Sequence, residues 1–196
     1  MLEFVIATNN AHKLREMRAI LDTENRRVLS MKEAGIATDP EETGTTFEEN
    51  ALIKARAACA ASGKPALADD SGIAVDALNG APGIYSARYC EGSDWDRLCF
   101  LLKNMEDVPE GQRGAHYVAA IACVLPDGTE FVVRGTVFGS LLREPIGEGG
   151  FGYDPIFYVE SEGATFAQIP AERKNAISHR ANALKLLVRE LEQRGL

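Results

Sequence analysis

Leu2 to Ala7 forms a short apolar run that ends at Thr8-Asn9-Asn10, and beyond it Leu14, Met17, Ile20 and Leu21 recur at helical spacing. This predicts a strand, a polar loop and an amphipathic helix in succession. Arg27 to Met31 reads as a second strand, and residues 38–44, rich in Thr, Asp, Pro and Gly, read as a loop. Thr46 with Glu49 three residues on is a capping box. It opens an alanine-rich helix that closes near Ser62-Gly63 and carries Asn50 and Lys54 on one face. Pro65 to Ala68 is apolar and Ile73 to Val75 resumes the pattern, so Asp69-Asp70-Ser71-Gly72 reads as a break between two extended segments. Ser93 caps a helix expected to bury Trp95, Leu98, Leu101 or Leu102, and Met105. Val118–Leu125 and Glu130–Val137, joined by Pro126-Asp127-Gly128, predict a hairpin. Ile156–Val159 reads as a strand, and the chain closes on an amphipathic helix from about Ser178 to Gln193. Helices alternating with strands around a hairpin argue against an all-parallel sheet. The predicted fold is α/β, with a mixed central sheet flanked by helices in one domain over residues 1–196.

Composition narrows the function. The 196 residues are 45% hydrophobic and 26% charged, close to globular averages, which excludes disordered, collagenous and coiled-coil classes. No apolar run approaches the roughly 20 residues that span a bilayer, and no leader pattern precedes Met1-Leu2-Glu3-Phe4, so a cytoplasmic location without membrane contact is expected. A net charge of −8 opposes direct nucleic-acid binding. Any polyanionic ligand therefore needs positive groups concentrated locally. Cys59, Cys90, Cys99 and Cys123 are scattered without Cys-x-x-Cys spacing and are expected to be buried free thiols.

Four segments carry candidate chemistry. Thr8, Asn9, Asn10 and Lys13 lie between a strand and a helix, where hydroxyl, amide, ammonium and helix N-terminal N–H groups can meet phosphate; an ordinary Asn cap with a solvated lysine is the alternative. Glu41, Glu42, Asp69 and Asp70 are oxygen donors of the kind Mg²⁺ prefers, and a carboxylate beside an attacking water can take its proton; the alternative is a turn with solvated aspartates. Gly147, Gly149 and Gly152 satisfy G-x-G-x-x-G formally. Asp154-Pro155 leads into a β-rich run rather than a helix, so a dinucleotide fingerprint is rejected, and no P-loop is present. Phe151 and Tyr153 on that glycine turn suit base stacking, with Asp154 accepting from a ring N–H, or else they join the core. Lys174, His179 and Arg180 place donors at the start of the last helix, where they can meet a base or a phosphate; Ser178 as a cap and Lys174 as a surface charge are the alternative.

Taken together, these segments resemble the inosine triphosphate pyrophosphatase family of non-standard purine nucleoside triphosphatases. The resemblance runs from Phe4 to Leu191 and rests on Ala7-Thr8-x-Asn10-x-x-Lys13, Glu42-Thr43-Gly44-x-Thr46-Phe47-x-Glu49-Asn50-Ala51 and Ala68-Asp69-Asp70-Ser71-Gly72. It continues in the run from Gly80 to Tyr89, in Gly149-Gly150-Phe151-Gly152-Tyr153-Asp154-Pro155-Ile156-Phe157 and in Ala176-Ile177-Ser178-His179-Arg180. The resemblance implies Mg²⁺-dependent cleavage of inosine, deoxyinosine and xanthosine triphosphates to monophosphate and pyrophosphate, cleansing the nucleotide pool. It also implies a homodimer and an elongated two-lobed fold with the active-site cleft between the lobes. By the same resemblance Thr8, Asn9, Asn10 and Lys13 would hold the triphosphate and Lys54 would contact phosphate. Glu42 and Asp70 would bind Mg²⁺, with Asp70 the proton acceptor, and Ser71 would contact substrate. Phe151, Gly152, Tyr153, Asp154 and Lys174 would line the nucleoside pocket, while His179 and Arg180 would face the base. Asn9 stands where many relatives carry Gly or Ser; Asn tolerates left-handed backbone, so the loop shape is expected to persist. A related enzyme for other modified nucleotides and a non-catalytic nucleotide sensor are the competing readings.

Overall fold

A computed structural model describes all residues, 1–196. The elements run β1 (Leu2–Ile6), α1 (Ala11–Leu21), β2 (Arg26–Ser30), α2 (Phe47–Ser62), β3 (Ala66–Val75), α3 (Asp94–Asn104), β4 (Gly114–Val124), β5 (Glu130–Leu141), β6 (Phe157–Val159), β7 (Ala164–Thr165), α4 (Ala171–Ile177) and α5 (His179–Gln193), with 3₁₀ turns at Asp76–Leu78, Gly83–Arg88 and Asp154–Ile156. The strands form one seven-stranded mixed sheet in the order β2-β1-β3-β4-β5-β6-β7. β1 pairs in parallel with β2 and β3, whereas β5, β6 and β7 pair antiparallel. No helix is long and apolar enough to cross a membrane.

The chain divides into two compact units: residues 1–70, 119–135 and 180–196, and residues 71–118 and 136–179. In the first, α1 and α5 bury Met17, Leu21, Leu184, Leu187 and Leu191 together with Phe4, Ile6, Leu67 and alternate residues 119, 121 and 123 of β4. That is the helical stripe and the strand alternation expected of a half-apolar surface. In the second, Leu98, Leu101 and Met105 of the α3 segment pack with Ile73, Val75, Tyr117, Leu141, Phe157 and Phe166. The expected capping box forms, Thr46 with Glu49 on α2, and Ser93, expected as a cap, forms a second one with Asp96 on α3.

Four expectations change. β3 runs unbroken through Asp69-Asp70-Ser71-Gly72 rather than stopping there. Turn-forming residue types are accepted inside this strand because the aspartates find partners and because Gly72 meets a close neighbour: a Cβ on it would lie 2.4 Å from Ser86 Oγ and 2.5 Å from the Gly83 carbonyl. The acidic pair therefore sits in the middle of a strand. Trp95 is 59% exposed, so α3 buries Leu98 and Leu101 without it. All four cysteines are free and Cys59 and Cys123 are buried, but Cys90 is half-buried and Cys99 exposed. Burial pushes the Cys123 thiol up to about 12, which leaves it unreactive near neutral pH. Lys174 belongs to α4, a separate short helix before Ser178, instead of opening α5, and it is buried rather than a surface charge.

Candidate active site

Parallel register brings the first two candidate segments together. Ile6 pairs with Leu67, and the Ala7 amide donates to the Leu67 carbonyl at 2.8 Å, so the chain leaves β1 at Thr8 alongside Asp69 and Asp70 of β3. In the loop, the Asn10 amide donates to Thr8 Oγ1 at 3.1 Å, while Asn10 Oδ1 accepts from the His12 and Lys13 amides at 2.9 and 3.2 Å. Asn10 thus caps α1, and two helix N-terminal N–H groups that the sequence offered to phosphate are already satisfied. Asn9 is exposed, and beside it Met31, Lys32 and residues 35–39 line an open cavity of about 570 Å³.

Two buried ion networks meet the strand here. Asp69, wholly buried, receives Lys13 Nζ at 2.5 Å on Oδ1 and Arg180 Nε at 3.1 Å on Oδ2, with Arg180 Nη2 at 3.3 Å; Arg180 Nη1 lies 2.5 Å from Glu16. Burial alone would raise the Asp69 pKa, but Arg180 and Lys13 hold the carboxyl far below the usual range. Burial draws the Lys13 ammonium below its ordinary value, with Asp69 opposing. Next along the strand, Lys54 Nζ bridges Asp70 Oδ1 at 2.8 Å and Glu42 Oε1 at 2.7 Å. Asp70 Oδ2 is buried with no hydrogen-bond partner. Burial raises the Asp70 pKa above the ordinary aspartate value, the Lys54 charge notwithstanding.

These positions fit Mg²⁺. No three ligating side chains form a ready cage, but this ion needs only one or two protein carboxylates together with substrate phosphate oxygens. The Lys54 ammonium already gathers oxygens of Glu42 and Asp70 around one positive charge, and Asp70 Oδ2 remains as a donor atom without a partner.

The other candidates lie in the second unit. Asp154 is buried: Oδ2 accepts from Lys174 Nζ at 2.5 Å and from the Phe151 amide at 2.8 Å, and Tyr117 Oη is 3.4 Å from Oδ1. Lys174 Nζ also sits 4.6 Å from the Phe151 ring centre, a cation–π distance. Tyr117 stacks on His179 with ring centres 4.6 Å apart and planes 8° from parallel. The Gly152 amide donates to Asp94 Oδ2 at 3.2 Å. Ser71, half-buried, opens this unit on β3.

Three sequence expectations are corrected by this geometry. Tyr153 is a core residue, 5% exposed, with its hydroxyl on the Ser86 carbonyl at 2.7 Å, so it does not present its ring for stacking. Asp154 is engaged by Lys174 rather than standing open to a ring N–H. All three nitrogens of Arg180 bond carboxylates, so contact with a base would require exchanging one of them. Glu16, 17% exposed against 0% for Asp69, is the partner with the smaller desolvation to lose. The sequence reading missed Glu16 and Tyr117. Glu16 was legible in principle, three residues from Lys13 on one helix; Tyr117 carried no local signal, because its partners come from distant segments.

Lysines and buried carboxylates thus gather at a strand–loop–helix junction on a mixed α/β sheet. The Ham1 family model matches residues 4–190, and the chain belongs to that family. It is 53% identical over 92% of its length to the dITP/XTP pyrophosphatase of Symbiobacterium thermophilum, of which it covers 90%. It is 48% identical to the dITP/XTP pyrophosphatase of Geobacter sulfurreducens, with both chains covered completely. The solved structure of a HAM1 protein from Coxiella burnetii superposes with a TM-score of 0.90 at 43% identity, covering 98% of this chain and all of the other.

Proposed function

We propose that this protein hydrolyses deoxyinosine, inosine and xanthosine triphosphates to monophosphate and pyrophosphate with Mg²⁺, in the cytoplasm and as a homodimer. Membership of the Ham1 family and near-full-length similarity to dITP/XTP pyrophosphatases support the substrate class. The observation that carries the chemistry is Asp70, anchored through Oδ1 by Lys54 with a buried and unbonded Oδ2. Oδ2 is the atom that takes the proton of the attacking water. Lys13 and Lys54 oppose the negative charge of the phosphates. Mg²⁺, when held by Glu42 and Asp70, supplies further neutralisation at the phosphoryl oxygens. Thr8, Asn9 and Asn10 bind the triphosphate beside them, and Ser71 contacts the substrate. Phe151, Gly152, Lys174 and His179 serve the nucleoside, with Asp154 holding Lys174 in place. An ammonium has three N–H groups, so Lys174 can hold Asp154 and still donate to a 6-oxo group, whereas the 6-amino group of adenine would set donor against donor.

Product analysis with dITP, XTP, ATP and GTP tests the activity. The expected result is pyrophosphate from the first two, only with added Mg²⁺ and far faster than from ATP; orthophosphate plus diphosphate as main products would exclude it. Metal binding has its own test. In the metal-free protein the Asp70 carboxyl should titrate above the ordinary value of about 3.9, and added Mg²⁺ should move the midpoint down, since a cation favours the ionised form. A midpoint indifferent to Mg²⁺ would remove Asp70 from the metal site.

A further inference from the structure

We propose that Asn50 is a positioning residue that pins the Glu42 loop to α2, so that Glu42 meets Lys54 and Asp70. Asn50 and Lys54 lie one helical turn apart on α2 and hold the same loop by different means. Asn50 Oδ1 accepts the Gly44 amide at 2.9 Å, two residues from Glu42, and Lys54 Nζ takes the Glu42 carboxylate at 2.7 Å. Between them Glu49 Oε2 accepts the Thr45 and Thr46 amides at 2.6 and 3.2 Å. Successive amides 44, 45 and 46 are therefore all tied to side chains of the first turn of α2. The capping box accounts for Glu49; nothing in helix formation accounts for Asn50.

The contacts of the fold use only half of this side-chain amide. Asn50 is 0% exposed, and its Nδ2 has no hydrogen-bond partner. A buried amide donor without a partner costs folding free energy, while an apolar residue in its place would instead leave the Gly44 amide without its acceptor. The contact is also closely fitted from the loop side: a Cβ on Gly44 would lie 2.6 Å from Asn50 Oδ1, 2.6 Å from Glu49 Cβ and 3.0 Å from the Asn50 amide. Gly44 is thus required by close approach to the helix, and its neighbour Glu42 inherits a fixed starting point. Without the pin, the Lys54–Glu42 ion pair and the Glu49 contacts to Thr45 and Thr46 would remain, but none of them holds the Gly44 amide.

The proposal rests on the Mg²⁺-dependent reading above, but its first arm uses neither metal nor nucleotide. In the metal-free protein, Asn50→Ala should raise hydrogen exchange at the Gly44 amide about tenfold or more while leaving amides of β1 and α5 protected, a selective local opening. Asn50→Asp keeps the acceptor and should retain the protection. In the second arm, Asn50→Ala should raise the Mg²⁺ concentration for half-maximal dITP turnover by about 10- to 100-fold, the usual scale for losing a residue behind a metal ligand. Gly44→Ala, which forces the same contact apart with Asn50 in place, should raise it too. Unchanged exchange at Gly44 in Asn50→Ala overturns the pin. If Asn50→Ala loses protection throughout, Gly44→Ala decides: an unaltered Mg²⁺ requirement there overturns the proposal. Absence of dITP turnover in the wild type would sink the proposed function, while the exchange arm would still judge Asn50.

Discussion

Replacing Asp70 by Asn is expected to lower turnover of dITP at least about 100-fold, the common scale for deleting a general base, while the fold survives. The two effects separate for a physical reason. Asn has the same shape and still offers an oxygen to Lys54 Nζ at the 2.8 Å position, so the strand keeps its packing. What disappears is a buried carboxylate oxygen with no bonding partner, replaced by an N–H₂ or a weakly basic carbonyl that cannot take a proton from water. Burial raises the Asp70 pKa, so the neutral amide removes a desolvation cost. Lys54, whose burial is outweighed by Asp70 and Glu42 so that its pKa lies above the ordinary value, keeps Glu42 as a charged partner, so any loss of melting temperature should be small. Circular dichroism and thermal melting check the fold, and single-turnover hydrolysis checks the chemical step. A variant that melts like the wild type and turns over at its rate would take the base role away from Asp70.

Asp69→Ala is expected to do the opposite and act mainly on stability. Removing it takes the bidentate carboxylate from the Arg180 guanidinium, 1% exposed, while the Glu16 pair remains, and leaves Lys13 without the 2.5 Å partner that sets its place. Breaking a buried ion pair in this one-sided way costs about 3–5 kcal/mol. For a chain of this length that corresponds to a melting temperature lower by about 6–20 °C. Asp69 binds its proton more weakly folded than unfolded, because Arg180 and Lys13 overcome the effect of burial. Its contribution is therefore complete above the ordinary aspartate pKa of about 3.9 and declines as the pH falls below it. The gap between wild type and variant should be full at pH 7 and narrow below about pH 4. A full gap persisting to strongly acidic pH would mean that packing, not charge, sets the cost. Turnover should fall as well, for all triphosphates alike, because Lys13 would lose its orientation toward phosphate.

What the sequence determined by itself is local. Apolar periodicity located α1, α3 and α5, because the stripe that a helix buries is written within a few turns of chain. A Thr followed by Glu at the third place marked the start of α2 and the Ser93 cap that of α3, because such caps close within four residues. The turn at Pro126-Asp127-Gly128 placed the β4–β5 hairpin for the same reason. The resemblance also supplied the names of the site residues. Only the tertiary structure decided how those residues are used. Asp69 and Asp70 looked like a turn, since isolated polar residues disfavour a buried strand; Lys13, Lys54 and Arg180 arrive from α1, α2 and α5 to satisfy them, and β3 runs straight through. Tyr153 and Asp154 looked available on a glycine turn, yet Ser86 and Lys174 claim them. A charged or aromatic side chain is read as binding or structural by what reaches it, and those partners are set by sheet order and strand register, which no short window of sequence contains.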